Sequence, residues 1–328
     1  MGNCFAPISP DSSDSEVETP APPGPSTGRS RSSDRQPRPS TSSRTPSQDR
    51  NRRNSQSLRR QLSTSTRQNR NRKHSRSSSL FSMGGPSLDA LRNYATLSNP
   101  RSSLAPSKLL ISNKNTIAIF DSYPKAKYHF LILPRYPFPP QSDPDSKESI
   151  IPLNALDDLK SLLLSQNRQE RDEVMSALYN TALEVEEMIK DEMLKTEGYE
   201  WKVDMGFHAI PSMKHIHLHV ISDDRISSSL KTKKHHNSFR PDLGFFVPIM
   251  EVQRWLEDDS NIQERVEALA DAERLLNTPL TCHKCDEFIT NIPKLKIHLE
   301  KHFVDERASA LRHIARHGRQ RSSDEDMF

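Results

Sequence analysis

The chain is predicted to fold as an α+β protein, with an antiparallel sheet flanked by helices and a small separate module near the C-terminal end. Three observations lead there. Short runs rich in β-branched and aromatic residues recur as "NTIAIFDS", "YHFLILPR", "YEWKVDMGFHAI" and "HIHLHVIS", the lengths and compositions of strands. Helix-periodic segments also occur, but no regular strand–helix–strand series does, which favours an antiparallel sheet over a doubly wound parallel one. Finally, "LTCHKCDEFITNIPKLKIHLEKHF" gathers two cysteines and three histidines into a short span.

Composition bounds how much of the chain can build a core. Of 328 residues only 33% are hydrophobic, 24 are proline, and the mean hydropathy is -0.79. Much of the chain therefore buries too little apolar surface to offset its ordering entropy. Residues 1–84 are rich in Ser, Arg, Pro, Asn and Gln, with Phe5 and Phe81 the only aromatics, and Asn51 to Leu80 carries nine Lys or Arg and no acid. A disordered basic arm is expected there. It could be a solvated tether, a nucleic-acid contact, a nuclear import signal or a substrate for serine phosphorylation. The start, "MGNCFA", pairs Gly2 with Cys4 as in dual acylation, although Ala6 stands where myristoylation prefers Ser or Thr. The expected location is the nucleus, with the cytoplasm or an acylated, membrane-associated form as alternatives. No run of 18 apolar residues predicts a membrane span, and no apolar segment marks a secretory signal. Three cysteines, Cys4, Cys282 and Cys285, are too few for a disulfide framework.

Order is expected from about residue 85. "PSLDALRNYATL" has Leu88, Leu91, Tyr94 and Ala95 at helical spacing after a candidate N-cap, Ser87. Two strands follow, joined by the Pro-containing turn "SYPKAK", then a loop over 137–146 and an amphipathic helix in "IPLNALDDLKSLLLS". A longer helix over about 169–195 presents Val174, Leu178, Thr181, Ala182, Val185, Met188 and Ile189 on one face, with Gly198 as its C-cap. Two more strands, a basic loop "KTKKHHNSF", a connecting helix within 241–277 with a break near Asp259, the Cys/His module over 278–306 and a charged, fraying tail over 307–328 complete the reading.

The stretch "GFHAIPSMKHIHLHVIS" carries His208, His215, His217 and His219. A strand alternates its faces, so His215, His217 and His219 are predicted on one side, with Ile216, Leu218 and Val220 in the core. The residues alone leave three readings open: the wet face of a strand, a His-x-His zinc site, or nucleophilic catalysis by a neutral imidazole. The Cys/His module is clearer. Cys282, Cys285, His298 and His302 follow C-x2-C-x12-H-x3-H, a tetrahedral zinc signature that predicts one structural ion. Leu295 and Ile289 are its expected mini-core. Lys284, Lys294, Lys296 and Lys301 are candidate phosphate contacts, and a protein-binding finger is the alternative.

"HIHLHVI" resembles the histidine-triad family, whose members attack the α-phosphorus of nucleotides with the middle histidine. "DSYPKAKYHFLILP", "LKTKKHHNSF" and the finger extend the likeness to the aprataxin branch of that family. The resemblance implies a histidine-triad catalytic domain over 85–240 that removes AMP from 5′-adenylated DNA ends (nicks, double-strand ends or RNA–DNA junctions) in DNA repair. It implies His217 as nucleophile, His208 as proton donor to the leaving phosphate, His215 and His219 as braces, and Ser212, Lys125 and His129 at the nucleotide and phosphate pocket. It further implies Lys233, Lys234 and His235 as a DNA clamp, and Leu91 and Tyr94 as a wedge against a terminal base pair, with core packing the competing role for both. No phosphopeptide-binding domain like that of animal members is recognisable, as in the shorter fungal-type forms, which puts docking to phosphorylated repair proteins in doubt. Two rivals remain at this level. One is a general nucleotide hydrolase or phosphoramidase, which needs neither finger nor basic loop. The other is a non-enzymatic nucleic-acid-binding regulator.

Overall fold

The structure is a computed structural model that describes residues 88–145 and 147–325. The arm over 1–84 and the acylation motif at Gly2 and Cys4 lie outside the described residues.

Six strands form one antiparallel sheet: β1 (Leu109–Ser112), β2 (Thr116–Phe120), β3 (His129–Pro134), β4 (Val203–His208), β5 (Leu218–Ser222) and β6 (Phe246–Pro248). Their spatial order is β1-β2-β3-β5-β4-β6. The α+β class with an antiparallel sheet is therefore observed, but β1 and β6 are additions to the expected strands. β6 is only three residues long, too short to leave a periodic signature.

Alternation along the strands divides the sheet into two faces. Ala118, Phe120, Phe130, Ile132, Phe207, Leu218, Val220 and Val247 join the main core under the long helix. On the other face, Ile117, Ile119, Leu131 and Leu133 pack with Leu91 and Ala95 of α1 (Ala90–Ala95). A short α2 (Pro100–Ser103) leads from α1 into β1. The rest of the second face, over β3, β5 and β4, carries histidines, because the register sets Leu131 and Gly206 opposite His219, and Phe246 opposite His208.

The expected amphipathic helix around residue 155 is a 3-10 turn (Leu153–Leu156) and then α3 (Leu159–Leu163), whose first turn is capped by the Asp158 side chain on the Ser161 amide. Asp158 takes an extended conformation to make that cap, which breaks the run. α4 (Arg168–Glu197) is capped by Asn167 and ends at Gly198, whose φ of 79° lies in the left-handed region. The connecting helix is broken at the expected place: after β6 come α6 (Ile249–Glu257) and α7 (Ile262–Ala270), separated by a 3-10 turn (Asp259–Asn261). The "KTKKHHNSF" loop contains α5 (Lys233–Asn237), with Thr232 as its N-cap.

The helix of the finger, α8 (Ile292–Glu325), runs straight through the segment expected to fray. Tertiary contacts explain the difference. Phe303 packs edge-on against Trp201 at 5.0 Å, Arg307 donates to the Glu197 carbonyl, and Leu311 closes over Gly198. Docking thus holds the start of that segment, as far as Leu311.

Candidate active site

A cavity of about 330 Å³ opens on the histidine-bearing face, lined among others by Asp121, Lys125, His129, His208, Ser212, His217, His219, Lys234, His235 and Phe239. It gathers residues more than 100 positions apart in sequence.

The three triad histidines are not equivalent. β5 begins at Leu218, so only His219 lies in a strand. His215 takes a φ of 80°, unusual for a non-glycine residue, and its Nε2 lies 2.7 Å from the Pro134 carbonyl, away from the cavity lining. The expected shared strand face thus fails at His215, because the chain turns there before pairing with β3. His215 contributes its backbone instead: its carbonyl lies 2.8 Å from His217 Nδ1. A carbonyl can only accept, so Nδ1 must carry the proton. Nε2 of His217 is left with its lone pair, the form an attacking imidazole needs.

A second chain of hydrogen bonds sets His219. The Lys125 amide donates to His129 Nδ1 at 3.2 Å, which leaves the proton of His129 on Nε2. That proton is directed at Nδ1 of His219, 3.0 Å away. His219 must then carry its own proton on Nε2, and that atom is buried without a protein partner. Nε2 of His208 is likewise buried and unpartnered, with the His208 and His219 rings 4.2 Å apart. Buried polar atoms normally find partners, so two unpartnered ones beside His217 mark a place for ligand oxygens. His129 accordingly works from behind His219 rather than only as a pocket wall.

Phe239 follows α5 and was not singled out in the sequence. Its ring centroid lies 5.2, 4.7 and 5.3 Å from those of His129, His208 and His219. Burial lowers the pKa of every imidazole here. It takes His208 to about 3 and His129 to about 4; it lowers His217, against the bond to the His215 carbonyl, and holds His219 well below the usual range. All four are neutral at pH 7. That suits a nucleophile. It leaves His208 needing an anion nearby to draw a proton onto its ring.

The other expected site residues divide. Ser212 and His235 line the cavity, and Lys125 does too, although its ammonium is turned onto the Tyr123 carbonyl. Lys234 reaches the rim with Glu273 at 3.7 Å. Lys233 does not line the cavity; its ammonium donates to the Asn277 carbonyl at 2.7 Å. Leu91, expected at a DNA wedge, is 3% exposed and belongs to the core beneath α1, one turn from the inward-facing Ala95. Tyr94 is partly exposed, with Lys108 over its ring at 5.4 Å.

The finger brings its four expected ligands together. Nε2 of His298 and of His302 lie 3.2 and 3.4 Å from Cys285 Sγ and 3.0 Å from each other, and Cys282 completes the group. Zinc bonds of about 2.0–2.3 Å give tetrahedral edges of roughly 3.3–3.7 Å, so the donor set fits one ion. Leu295 and Ile289 are buried beneath it with Leu230. Two of the four expected phosphate contacts are occupied instead. Lys284 binds Asp223 and Glu306 at 2.9 Å, and Lys296 donates to the Ser227 carbonyl at 2.7 Å. Beside them, His283 bonds Asp223 just after β5, tying the finger to the sheet, and the buried Arg225 bonds Asp204 of β4.

Comparison with known proteins agrees with this division. The HIT domain family matches residues 103–226, and the C2HE / C2H2 / C2HC zinc-binding finger family matches 242–305. Aprataxin of Danio rerio is 36% identical over 197 residues, 60% of this chain and 50% of that protein. The aprataxin-like protein of Saccharomyces cerevisiae is 32% identical over 164 residues, 48% of this chain and 70% of that protein. The solved structure described as "Hnt3 in complex with DNA and guanosine" aligns with a TM-score of 0.44 at 23% identity, over 66% of this chain and 96% of that one. The chain spans between 25% and 52% of the length of the animal relatives it matches. With a HIT domain, a zinc-binding finger and this identity to a yeast relative covered over more than two thirds of its length, the chain belongs to the aprataxin family.

Proposed function

We propose that the protein is a DNA-repair hydrolase that removes AMP from 5′-adenylated DNA ends through a covalent adenylyl-histidine. The observation that carries the chemistry is the bond from His217 Nδ1 to the His215 carbonyl, which leaves Nε2 bare in a cavity containing two unpartnered imidazole nitrogens.

In the first step Nε2 of His217 forms a bond to the α-phosphorus, and the bond from that phosphorus to the bridging oxygen of the 5′–5′ pyrophosphate breaks. The DNA leaves with a normal 5′-phosphate. His208 is assigned the proton for that oxygen. Its burial opposes protonation, but phosphate anions bound beside the ring favour it. His219, with its Nε2 proton fixed through His129, donates to the non-bridging oxygens as charge develops. In the second step water attacks the same phosphorus while its proton passes to His208, the P–N bond breaks, AMP departs, and His217 and the proton on His208 are regenerated. The positive charge on the adenylylated ring is stabilised throughout by the His215 carbonyl.

The remaining assignments belong to the same reading. One structural zinc ion would be held by Cys282, Cys285, His298 and His302, supplying folding energy to the finger. The substrates are adenylated nicks, double-strand ends or RNA–DNA junctions, met in the nucleus alongside other repair proteins. The test is incubation of the full chain with 5′-adenylated nicked DNA, scored for AMP release and restored ligatability. His217→Ala should abolish both while retaining DNA binding, and normal turnover by that variant would exclude the mechanism.

A further inference from the structure

Ser238, Phe239 and Arg240 follow α5 directly. The first two line the cavity, and between them they hold His208. The Phe239 ring lies 4.7 Å from the His208 ring. Burial lowers the pKa of His208, and a hydrogen bond from its ring to the Ser238 backbone carbonyl works against that. Nε2 of His208 has no protein partner, so the bonded nitrogen is Nδ1. Nε2 then carries the lone pair of the neutral ring and is the atom that takes up and delivers a proton.

The turn that supplies these contacts is weakly held by its own backbone. The Phe239 and Arg240 amides donate to the His236 and Asn237 carbonyls, each at 3.2 Å, at the end of a helix of only five residues. Side chains must therefore fix where the turn sits. Arg240 does so from the far side. It is 4% exposed and does not line the cavity. Its Nε and Nη2 donate to the Asp242 carboxylate, while Nη1 donates to the Thr281 hydroxyl. Nη2 also lies 3.7 Å from the Asp286 carboxylate.

Thr281 and Asp286 bracket the zinc-binding cysteines. Thr281 precedes Cys282 and pairs with Phe288 across the knuckle, and the Asp286 amide donates to the Cys282 carbonyl at 2.9 Å. One guanidinium thus spans from the knuckle to the residue beside Phe239. The fork is what allows it: an ammonium on the same stem can serve one of these partners but not hold both in a plane.

We propose that Arg240 is a positioning residue for the reaction: by tying the Ser238–Arg240 turn to the zinc knuckle it orients His208, and so makes proton transfer in the cavity depend on a properly folded finger. The proposal rests on the deadenylation reading for the role of His208. The full-length protein is compared with Arg240→Lys, which keeps the charge and loses the fork, with Thr281→Val, which removes the finger-side acceptor, and with the double variant. Zinc content by mass spectrometry shows that the knuckle is loaded in each. Two small substrates are used. An alkyl phosphoramidate of AMP has a leaving nitrogen that must be protonated, and the p-nitrophenyl ester of AMP has a phenolate that leaves without a proton. The expected result is that kcat on the phosphoramidate falls by about 10- to 100-fold in each single variant, that the ester is largely spared, and that the double variant loses no more than either single one. Nitrogen NMR of labelled histidines should show His208 protonated on Nδ1 in the wild type and as a mixture of tautomers in Arg240→Lys. Equal losses on both substrates overturn the proposal, as does wild-type turnover with an unchanged His208 spectrum in Arg240→Lys. Should the wild type cleave neither substrate nor adenylated DNA, while the His208 tautomer still shifts in Arg240→Lys, the deadenylation reading falls and the positioning stands. AMP release from adenylated DNA by a wild type whose His208 is indifferent to Arg240 gives the reverse.

Discussion

Replacing Gly206 with Ala should damage both stability and the site, through a contact that cannot relax. Gly206 lies on β4 opposite His219 on one side and Pro248 of β6 on the other. A Cβ at this position would stand 2.6 Å from Cε1 of Phe246 and 2.6 Å from the Val247 carbonyl oxygen. The ring could turn, but the backbone oxygen belongs to the β4–β6 ladder and cannot. Overpacking of this kind costs about 1–3 kcal/mol. Removing a strand glycine returns about 0.5–1 kcal/mol of backbone entropy, too little to cancel it. For a folded unit of this size about 1 kcal/mol corresponds to roughly 2–4 °C, so a net loss of about 1–2 kcal/mol should lower Tm by roughly 2–8 °C. The site should suffer more than the fold. Phe246 pairs with His208 across the strands and packs at 5.9 Å on Phe239, whose ring touches three site histidines. A displacement of about 1 Å in such a constellation can cost about 100-fold in rate. Differential scanning fluorimetry and AMP release from adenylated DNA measure the two effects. A variant with wild-type Tm and wild-type turnover would refute the reasoning.

The pH dependence of stability should follow the buried imidazoles. Burial takes His208 to about 3 and His129 and His215 to about 4 in the folded chain, whereas the unfolded chain titrates near 6.5. Between those values the unfolded state binds more protons. The stabilisation is therefore complete above about pH 6.5 and is lost as pH falls toward 4, by up to about 1.4 kcal/mol per pH unit per histidine. Urea midpoints at pH 7.5, 6 and 5 should decline in that order, and a flat series would contradict it. Arg225→Met should destabilise by about 3–5 kcal/mol, because Arg225 is 1% exposed and its removal leaves Asp204 and Asp223 buried without it; chemical denaturation measures this. Zinc content by mass spectrometry should be about one ion per chain and should fall sharply in Cys282→Ser. Because Leu230 is packed in the finger core, hydrogen exchange in residues 230–237 should rise in the same variant.

What could be read from the sequence was local. The finger spacing, the C-cap at Gly198, the capped helix α4 and the strands β2 to β5 each depend on residues within a turn or a pleat of one another, so periodicity and spacing expose them. The triad motif picked out His217 and His219, which line the cavity, for the same reason. Only the tertiary structure decided how they are used. That His215 serves through its carbonyl and not its ring depends on a left-handed turn before β5. That His129 sets the proton on His219 depends on a β3–β5 register joining positions 90 residues apart. Phe239 becomes a wall of the site because α5 is held by Asn277, Leu276 and Thr278, residues with no pattern linking them to it. Charge was the least legible property. Lys231, Lys233 and Lys284 look alike in sequence, yet Lys284 is paired with carboxylates, Lys233 is turned onto a backbone carbonyl, and Lys231 has no side-chain partner among the described residues. A side chain's type fixes what it can bind, but competition among distant neighbours decides what it does bind, and that competition exists only once the chain is folded.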